Sequence, residues 1–350
     1  MFALQVANLK GTGGVYTSLV HYHEMFSSAG GHSVCLYRGP SAQRLIDKGL
    51  DLELTSSLIS SPLLRLTPEF SRVRHAVRRR AGGCDPRVAM VHSDTALRNI
   101  RALFPSTVIA TRCHTDKTDR KSQSDIVVTL NADQHRRVAE KLRNTPTKVV
   151  LLGHPFADAG RPDVPFGRTP RLNYCARFVS EKDPFTLIQA LSRLKTRPFP
   201  EVRFLGSGPL EQSVKAAAVA TGMGITFPGW KPSPLEDFTS ADILVLPSLW
   251  EGLPWLLLEA LWRGIPVVAS AIPGHTDALD DGRLGRLFVA GDPISLANAI
   301  DNVFSEPEKT KMFCEMAKLE FSSRHGAAKF QKHFFEVVDS VRKPGFERFK

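Results

Sequence analysis

Short apolar, β-branched runs alternate along the first half of the chain with stretches of helical periodicity. "FALQVA" (2–7) leads through "NLKGTGG" into a helical pattern over "VYTSLVHYHEMFSSAG". "HSVCLYR" (32–38), "RVAMVHS" (87–93), "TVIATRC" (107–113), "DIVVTL" (125–130) and "KVVLL" (148–152) predict further strands. "SAQRLIDKG", "TALRNIRALF" and "ADQHRRVAEKL" predict helices between them. Alternation of this kind implies parallel strands joined by crossover helices. The stretch "GHPFADAGRPDVPFGRTP" (153–170) has no sustained period, is rich in proline and glycine, and reads as a linker.

After it the alternation restarts. "RLNYCAR", "VRFLGS", "ITFPGW", "ILVLPS" and "PVVAS" predict strands, and "DPFTLIQALSRLK", "LEQSVKAAAVATG", "LEDFTSA" and "PWLLLEALWRG" predict helices. A helical tail follows over "ISLANAIDNVFS", "EKTKMFCEMAKLEFSSR" and "AAKFQKHFFEVVDSVRK". The expected class is α/β, with two doubly wound, Rossmann-like domains facing across a cleft. Their bounds are expected at 1–158 and 159–325, with 326–350 as a terminal helix. Ligands of such sheets bind beyond the carboxyl ends of the strands.

Composition narrows the picture. At 350 residues and 42% apolar content the chain carries enough for two cores. Its net charge of +11 is lopsided: residues 1–158 hold 22 Lys and Arg against 13 Asp and Glu, the remainder 24 against 22. A large anionic partner is expected to meet the first half. Five scattered cysteines without a C-x-x-C pair fit a reducing cytosol better than a disulfide framework or a zinc site. The amino-terminal run turns polar too soon for a signal peptide, and no apolar run approaches a membrane span. The protein is expected to be cytoplasmic or peripheral on the inner face of a membrane.

The stretch "SLWEGLPWLLLEALWRGIPVVAS" (248–270) holds Glu251 and Glu259 amid apolar neighbours. Burying an unpaired charge is costly, so a polar partner is expected. Glu251 falls in the loop before a helix opened by Pro254 and closed by Gly264. The amides near Gly252 and Leu253, at the positive end of that helix, favour a phosphate or sugar oxygen. Glu259, one to two turns in, can accept the paired hydroxyls of a ribose. The plainer alternative is a solvated loop acid and an exposed helical stripe.

Arg177 and Lys182 straddle the turn in "YCARFVSEKDPFTLIQAL" and can both point at one diphosphate, or else pair with Glu181 and Asp183 on a solvated loop. Gly206 and Gly208 in "VRFLGSGPLEQ" let a turn approach a ligand closely, and "SAIPGHTDAL" is a further strand–loop–helix with Gly274 at a helix start. In the first half, "NLKGTGGVYTSL" lacks the third glycine of a dinucleotide fingerprint, Tyr16 standing in its place. The second strand ends in Arg38 where an adenosine ribose would need an acid. His92 and His114 stand at the ends of two strands, as structural groups or facing substrate. "RVRHAVRRR" (72–80) is a basic helix for an anionic membrane surface or merely a solvated face. It has neither aromatic interleaving nor a nucleic-acid motif, so no nucleic acid is expected.

Together these segments resemble the GT-B fold retaining glycosyltransferases of the large family numbered four. "GTGGVYTSLVHYHEMFSSAGGHSV" is similar to its glycine loop, helix and Gly-His-x-Val turn. "CARFVSEKD" is similar to its phosphate segment, "VRFLGSGP" to its Leu-Gly-x-Gly-Pro loop, and "EGLPWLLLEA" to its E-x7-E motif. "PVVASAIPGHTDAL" resembles the strand and loop that follow. Ala176 stands where Gly is common, and Asp277 where Glu is common.

The resemblance implies a metal-independent transferase without a bound cofactor. It would move a sugar from a UDP- or GDP-linked donor to a hydroxyl of a glycan or lipid-linked acceptor, in surface polysaccharide or lipopolysaccharide synthesis. The second domain would bind the donor and the first the acceptor, with the terminal helix packing back on the first. Glu259 would take the ribose, Arg177 and Lys182 the diphosphate, and Glu251 with Gly252 and Leu253 the sugar. Gly13 and Gly14 would close over the phosphates, His114 would flank the transferred sugar, and Gly206, Gly208 and Trp230 would line the base. A nucleotide-sugar epimerase or NADP-dependent reductase on a similar scaffold is the competing enzyme class. It leaves Glu251 and Glu259 unexplained. A non-catalytic glycan-binding relative leaves Arg177 and Lys182 unexplained as well.

Overall fold

The structure, a computed structural model, describes residues 2–8, 14–40, 42–114, 117–156, 160, 164, 165, 167 and 169–341. The chain divides into two compact units, Met1–Ala157 with His325–Lys350, and Asp158–Arg324.

The first unit runs β1 (Phe2–Asn8), α1 (Gly14–Ser28), β2 (His32–Arg38), α2 (Ala42–Asp47), β3 (Asp51–Leu54), α3 (Pro68–Arg80) and β4 (Val88–Val91). It continues through α4 (Leu97–Leu103), β5 (Val108–Arg112), β6 (Ile126–Thr129), α5 (Ala132–Leu142) and β7 (Lys148–Leu151). The strands pair in parallel in the order β3-β2-β1-β4-β5-β6-β7. A parallel sheet is covered on both faces. On one side Leu4, Val6, Val34, Ala89 and Ile109 pack with Leu97 and Ile100 of α4. On the other Ala3, Val88, Met90 and Ala110 pack with Tyr22, Met25 and Phe26 of α1.

Strand β3 escaped the apolar pattern because two of its four residues are acids. Those acids bind the basic helix α3: Glu53 takes Arg72 at 2.5 Å and Arg80 at 3.1 Å, and Asp51 takes Arg80 at 3.1 Å. Arg78 pairs with Asp85 at 2.6 Å. Much of the charge in "RVRHAVRRR" is therefore matched within the unit, while Val73, Ala76 and Val77 face its core as expected.

The second unit runs β8 (Arg171–Cys175), α6 (Pro184–Leu191), β9 (Glu201–Leu205), α7 (Glu211–Ala220), β10 (Ile225–Thr226) and β11 (Asp242–Leu246). After these come α8 (Trp255–Arg263), β12 (Val267–Ser270), α9 (Pro273–Ala278), β13 (Arg286–Phe288), α10 (Pro293–Ser305) and α11 (Pro307–His325). Its strands, also parallel, are ordered β10-β9-β8-β11-β12-β13. The expected helix over "LEDFTSA" is only a 3-10 turn at Pro234–Asp237. Thr239 donates its amide (2.7 Å) and hydroxyl (2.8 Å) to Asp242, which turns the chain into β11.

The last helix, α12 (Ala327–Ser340), belongs to the first unit. Phe330, Phe334 and Val338 join the cluster around Tyr22 and Phe26, and the Ala327 amide donates to the Phe156 carbonyl at 2.8 Å. Within the stretch read as a linker, His154 and Phe156 are buried in this unit. Both expected doubly wound α/β units are thus present.

Candidate active site

Each sheet reverses its winding once, between β1 and β4 in the first unit and between β8 and β11 in the second. At such a switch point the connections diverge to opposite faces and leave a crevice at the carboxyl ends of the strands. In the second unit Arg177 follows β8 directly and is exposed, and its carbonyl accepts from the buried Tyr174 hydroxyl at 3.1 Å. Asp183, in the left-handed region at φ 41°, accepts from the Thr186 amide at 3.3 Å and caps α6. That bend ends the turn carrying Lys182.

The Lys182 ammonium pairs with Glu251, which follows β11. Only 21% and 13% of these side chains remain exposed, so the contact is largely shielded from solvent. The Ser248 hydroxyl donates to the same Glu251 oxygen at 3.2 Å. The Ser248 carbonyl accepts from the Ser270 hydroxyl at 2.5 Å. His275 lies 3.0 Å through Nδ1 from the Ser270 carbonyl and 3.1 Å from its hydroxyl. With the Ser270 proton committed to Ser248, Nδ1 carries a hydrogen, and burial pulls the ring's pKa down to about 4.

The loops at this end interlock. A Cβ on Gly206 would lie 1.9 Å from the Ala176 carbonyl oxygen, and one on Gly208 2.6 Å from that of Phe178. The close approach these glycines permit is thus to the turn bearing Arg177. The Gly206 amide donates to Gly229 at 3.0 Å, next to the exposed Trp230. Gly274 packs the same way, its missing Cβ leaving room for the carbonyls of Glu251 and Gly252.

Pro254 proves to be the cap residue, one position ahead of α8; Leu253 before it is buried, and Gly264 closes the helix at φ 71°. Leu257, Leu258, Ala260, Leu261 and Trp262 form the buried face of α8. Glu259 lies off that face, 28% exposed, and pairs with Arg263 one turn on at 2.8 Å. At the end of β8, burial pushes the Cys175 thiol up to about 12, against the Arg203 charge and aided by those of Asp242 and Glu259.

The first unit's switch point is furnished differently. Gly13 lies outside the described residues; Gly14 opens α1, and its carbonyl accepts from Ser18 at 2.6 Å. Ser18 in turn accepts from Arg112, a guanidinium buried at the end of β5 that also reaches His154 at 2.8 Å. His92 and His114 follow β4 and β5, with ring centroids 6.0 Å apart. Burial and the Arg112 charge hold both imidazoles neutral, His92 at about 3 and His114 well below its ordinary value. Among the described residues no group of three or more His, Cys, Asp or Glu converges as for a metal ion.

The profile of the family "Glycosyl transferases group 1" matches residues 161–320, the span that carries the Arg177, Lys182, Glu251 and Glu259 loops. That span, a little under half of the chain, is similar to that family. Among curated relatives, the D-inositol 3-phosphate glycosyltransferase of Corynebacterium urealyticum is 31% identical over 169 residues, 45% of this chain and 38% of that protein. Matches of this kind span about two fifths of the curated relatives' lengths. Anabaena HepE, solved with UDP and glucose, superimposes with a TM-score of 0.78 at 14% identity, covering 97% of this chain and all of that one. A glycosyltransferase from Rickettsia africae gives 0.79 at 16% identity, over 98% and 99% of the two chains. At such identities the structural likeness carries the fold, which is the two-domain composition called GT-B.

Two features of these sites are not exposed by the sequence motifs. His275 sits in "SAIPGHTDAL", where the sequence singles out Gly274 and Asp277. The signal was a lone imidazole directly after a strand–loop glycine. Arg112 was hidden in "TVIATRC", which reads as a plain β-branched strand.

Proposed function

We propose that the protein is a retaining glycosyltransferase. It would move a hexose from a nucleoside-diphosphate sugar to a hydroxyl of a glycan or lipid-linked acceptor. The observation that carries the proposal is the meeting of Lys182 and Glu251, 69 positions apart, on the loops after β8 and β11 at the switch point of the second unit. The family match over the same loops supports it, as does the UDP held by the structural neighbour HepE.

In this reading the diphosphate lies against Arg177 and Lys182, and the ribose hydroxyls donate to Glu259. Glu251 and the amides near Gly252 and Leu253 take the donor sugar, and Trp230 flanks the base. Negative charge grows on the departing phosphate oxygen as the glycosidic bond breaks. Cations fixed beforehand lower that barrier without reorganisation. The acceptor hydroxyl attacks the face the phosphate leaves and passes its proton to the phosphate, which preserves the anomeric configuration. Neutral His114 offers a hydrogen bond to a sugar hydroxyl rather than a charge.

The acceptor and its location belong to the same proposal. Chemistry in surface-polysaccharide or lipopolysaccharide assembly suits a protein working at the cytoplasmic face of a membrane. The exposed Arg79 near the end of α3 supplies a positive charge for anionic lipid. No helix among the described residues is long and apolar enough to cross a membrane.

Incubation with a panel of nucleotide sugars, without acceptor, tests the function. Slow release of free sugar and nucleoside diphosphate is expected. An epimerised nucleotide sugar, or no turnover of any donor, refutes it.

A further inference from the structure

Lys182 and Glu251 sit on loops, and a loop holds a catalytic pair in place only if something fixes its backbone. The turn 248–252 is fixed from beneath. The Ser270 hydroxyl holds the Ser248 carbonyl at 2.5 Å, and Gly274 packs against the carbonyls of Glu251 and Gly252. Both of these supports meet at His275. Its backbone follows Gly274, and its ring lies against Ser270 at 3.0 and 3.1 Å. The side chain is wholly buried, and its Nε2 has no hydrogen-bond partner among the described residues. An apolar residue would fill this space without leaving a buried nitrogen unsatisfied, so filling alone does not account for the imidazole.

We propose that His275 is a positioning residue: through Ser270 and Ser248 it sets the Glu251 carboxylate, and thereby the Lys182 ammonium, in the geometry that the transfer step uses. The proposal deepens the glycosyltransferase reading and rests on it for the step concerned. Its structural content, that His275 controls the Lys182–Glu251 contact, stands independently of that reading.

The test uses the full chain. Donor hydrolysis, with a nucleotide sugar that the wild type turns over, gives kcat and KM. His275→Ala is expected to lower kcat about 30-fold and to change KM less than about threefold, because a misplaced pair costs more in the transition state than in binding. His275→Asn, whose amide N–H can reach the Ser270 carbonyl from near the place of Nδ1, is expected to restore most of kcat. The rate at which an amine-reactive ester labels Lys182, read by peptide mass spectrometry, should rise at least about threefold in His275→Ala as Glu251 releases its partner.

A folded His275→Ala with wild-type kcat and an unchanged labelling rate overturns the proposal, as does an Asn variant no better than Ala. Should the wild type turn over no donor, the function falls while the labelling rate still decides the role of His275. Should His275→Ala fail to fold, Ser270→Ala cuts the same chain of contacts and is expected to give the same two changes.

Discussion

The two sheets turn over at matching places, between β1 and β4 in one unit and between β8 and β11 in the other. At the first, the strand ends present His92, Arg112 and His114, with Tyr22 beside them. At the second, Lys182 meets Glu251, Arg177 stands exposed, and His275 lies underneath. The topology is shared, but the first crevice is lined by imidazoles kept neutral by burial and, to a lesser degree, by a buried guanidinium. The second is built from an ion pair largely shielded from water, with an exposed guanidinium on the loop that carries Lys182. A neutral, hydrogen-bonding wall suits hydroxyl groups, and paired ions suit a diphosphate. In the proposed function, one scaffold would divide two tasks through the residues that follow its strands, as expected where function resides in sites grafted on a fold.

The sharpest way to break this contrast is to remove the cation from the second crevice. Lys182→Ala should lower kcat for transfer by about 10²–10³, the usual cost of one lost electrostatic donor in such a site. The far-ultraviolet spectrum should stay that of the folded protein. Arg177→Ala should act in the same direction and cost less, because Arg177 is exposed and Lys182 is shielded. Near-normal turnover by purified Lys182→Ala would remove the assigned role.

Acid sharpens the contrast next. A histidine whose folded pKa lies below its ordinary 6.5 stabilises fully above that value. It loses that contribution as the pH falls from 6.5 towards the folded pKa. For His92 the window runs down to about 3 and for His275 to about 4, while His114 is shifted in the same direction. Each costs up to about 1.4 kcal/mol per pH unit inside its window. With His92 and His114 together, the first unit should lose hydrogen-exchange protection before the second as the pH is lowered from 6.5. His92→Gln should flatten that dependence. Simultaneous loss in both units, or an unaltered slope in the variant, would show that these imidazoles do not govern acid stability.

Much of the scaffold was legible because parallel strands buried on both faces write themselves as continuous apolar runs. "HSVCLYR" coincides with β2, and "RLNYCAR" starts with β8 and overruns its end by two residues. Strands β3 and β13 were not legible. One is half acidic and held by arginines of α3, the other is three residues long, and neither makes a periodic signal. In the second crevice the structure brings together Lys182 and Glu251, two charged residues that the sequence singles out. What stayed hidden is what supports the charges. Ser248, Ser270 and His275 act through contacts that only the folded chain makes, and no spacing along the sequence announces them.

The smallest effect concerns Glu259, whose crowding by leucines suggested a partner from elsewhere. The structure supplies one from its own helix, Arg263, at 2.8 Å, with Glu259 28% exposed. A pair of this kind is worth little to stability, so Glu259→Ala should leave the melting temperature nearly unchanged. If the carboxylate also accepts ribose hydroxyls, its loss should weaken binding of the nucleoside diphosphate about fivefold, near the low end for charge-assisted hydrogen bonds because water competes at this exposure. Calorimetry with the diphosphate measures this directly, and kcat at saturating donor should move less than affinity. Arg263→Met separates the two roles. Freed of its partner, Glu259 should bind the nucleotide at least as well as before. Weaker binding in Arg263→Met than in Glu259→Ala would mean that the guanidinium, and not the carboxylate, is the group the nucleotide meets.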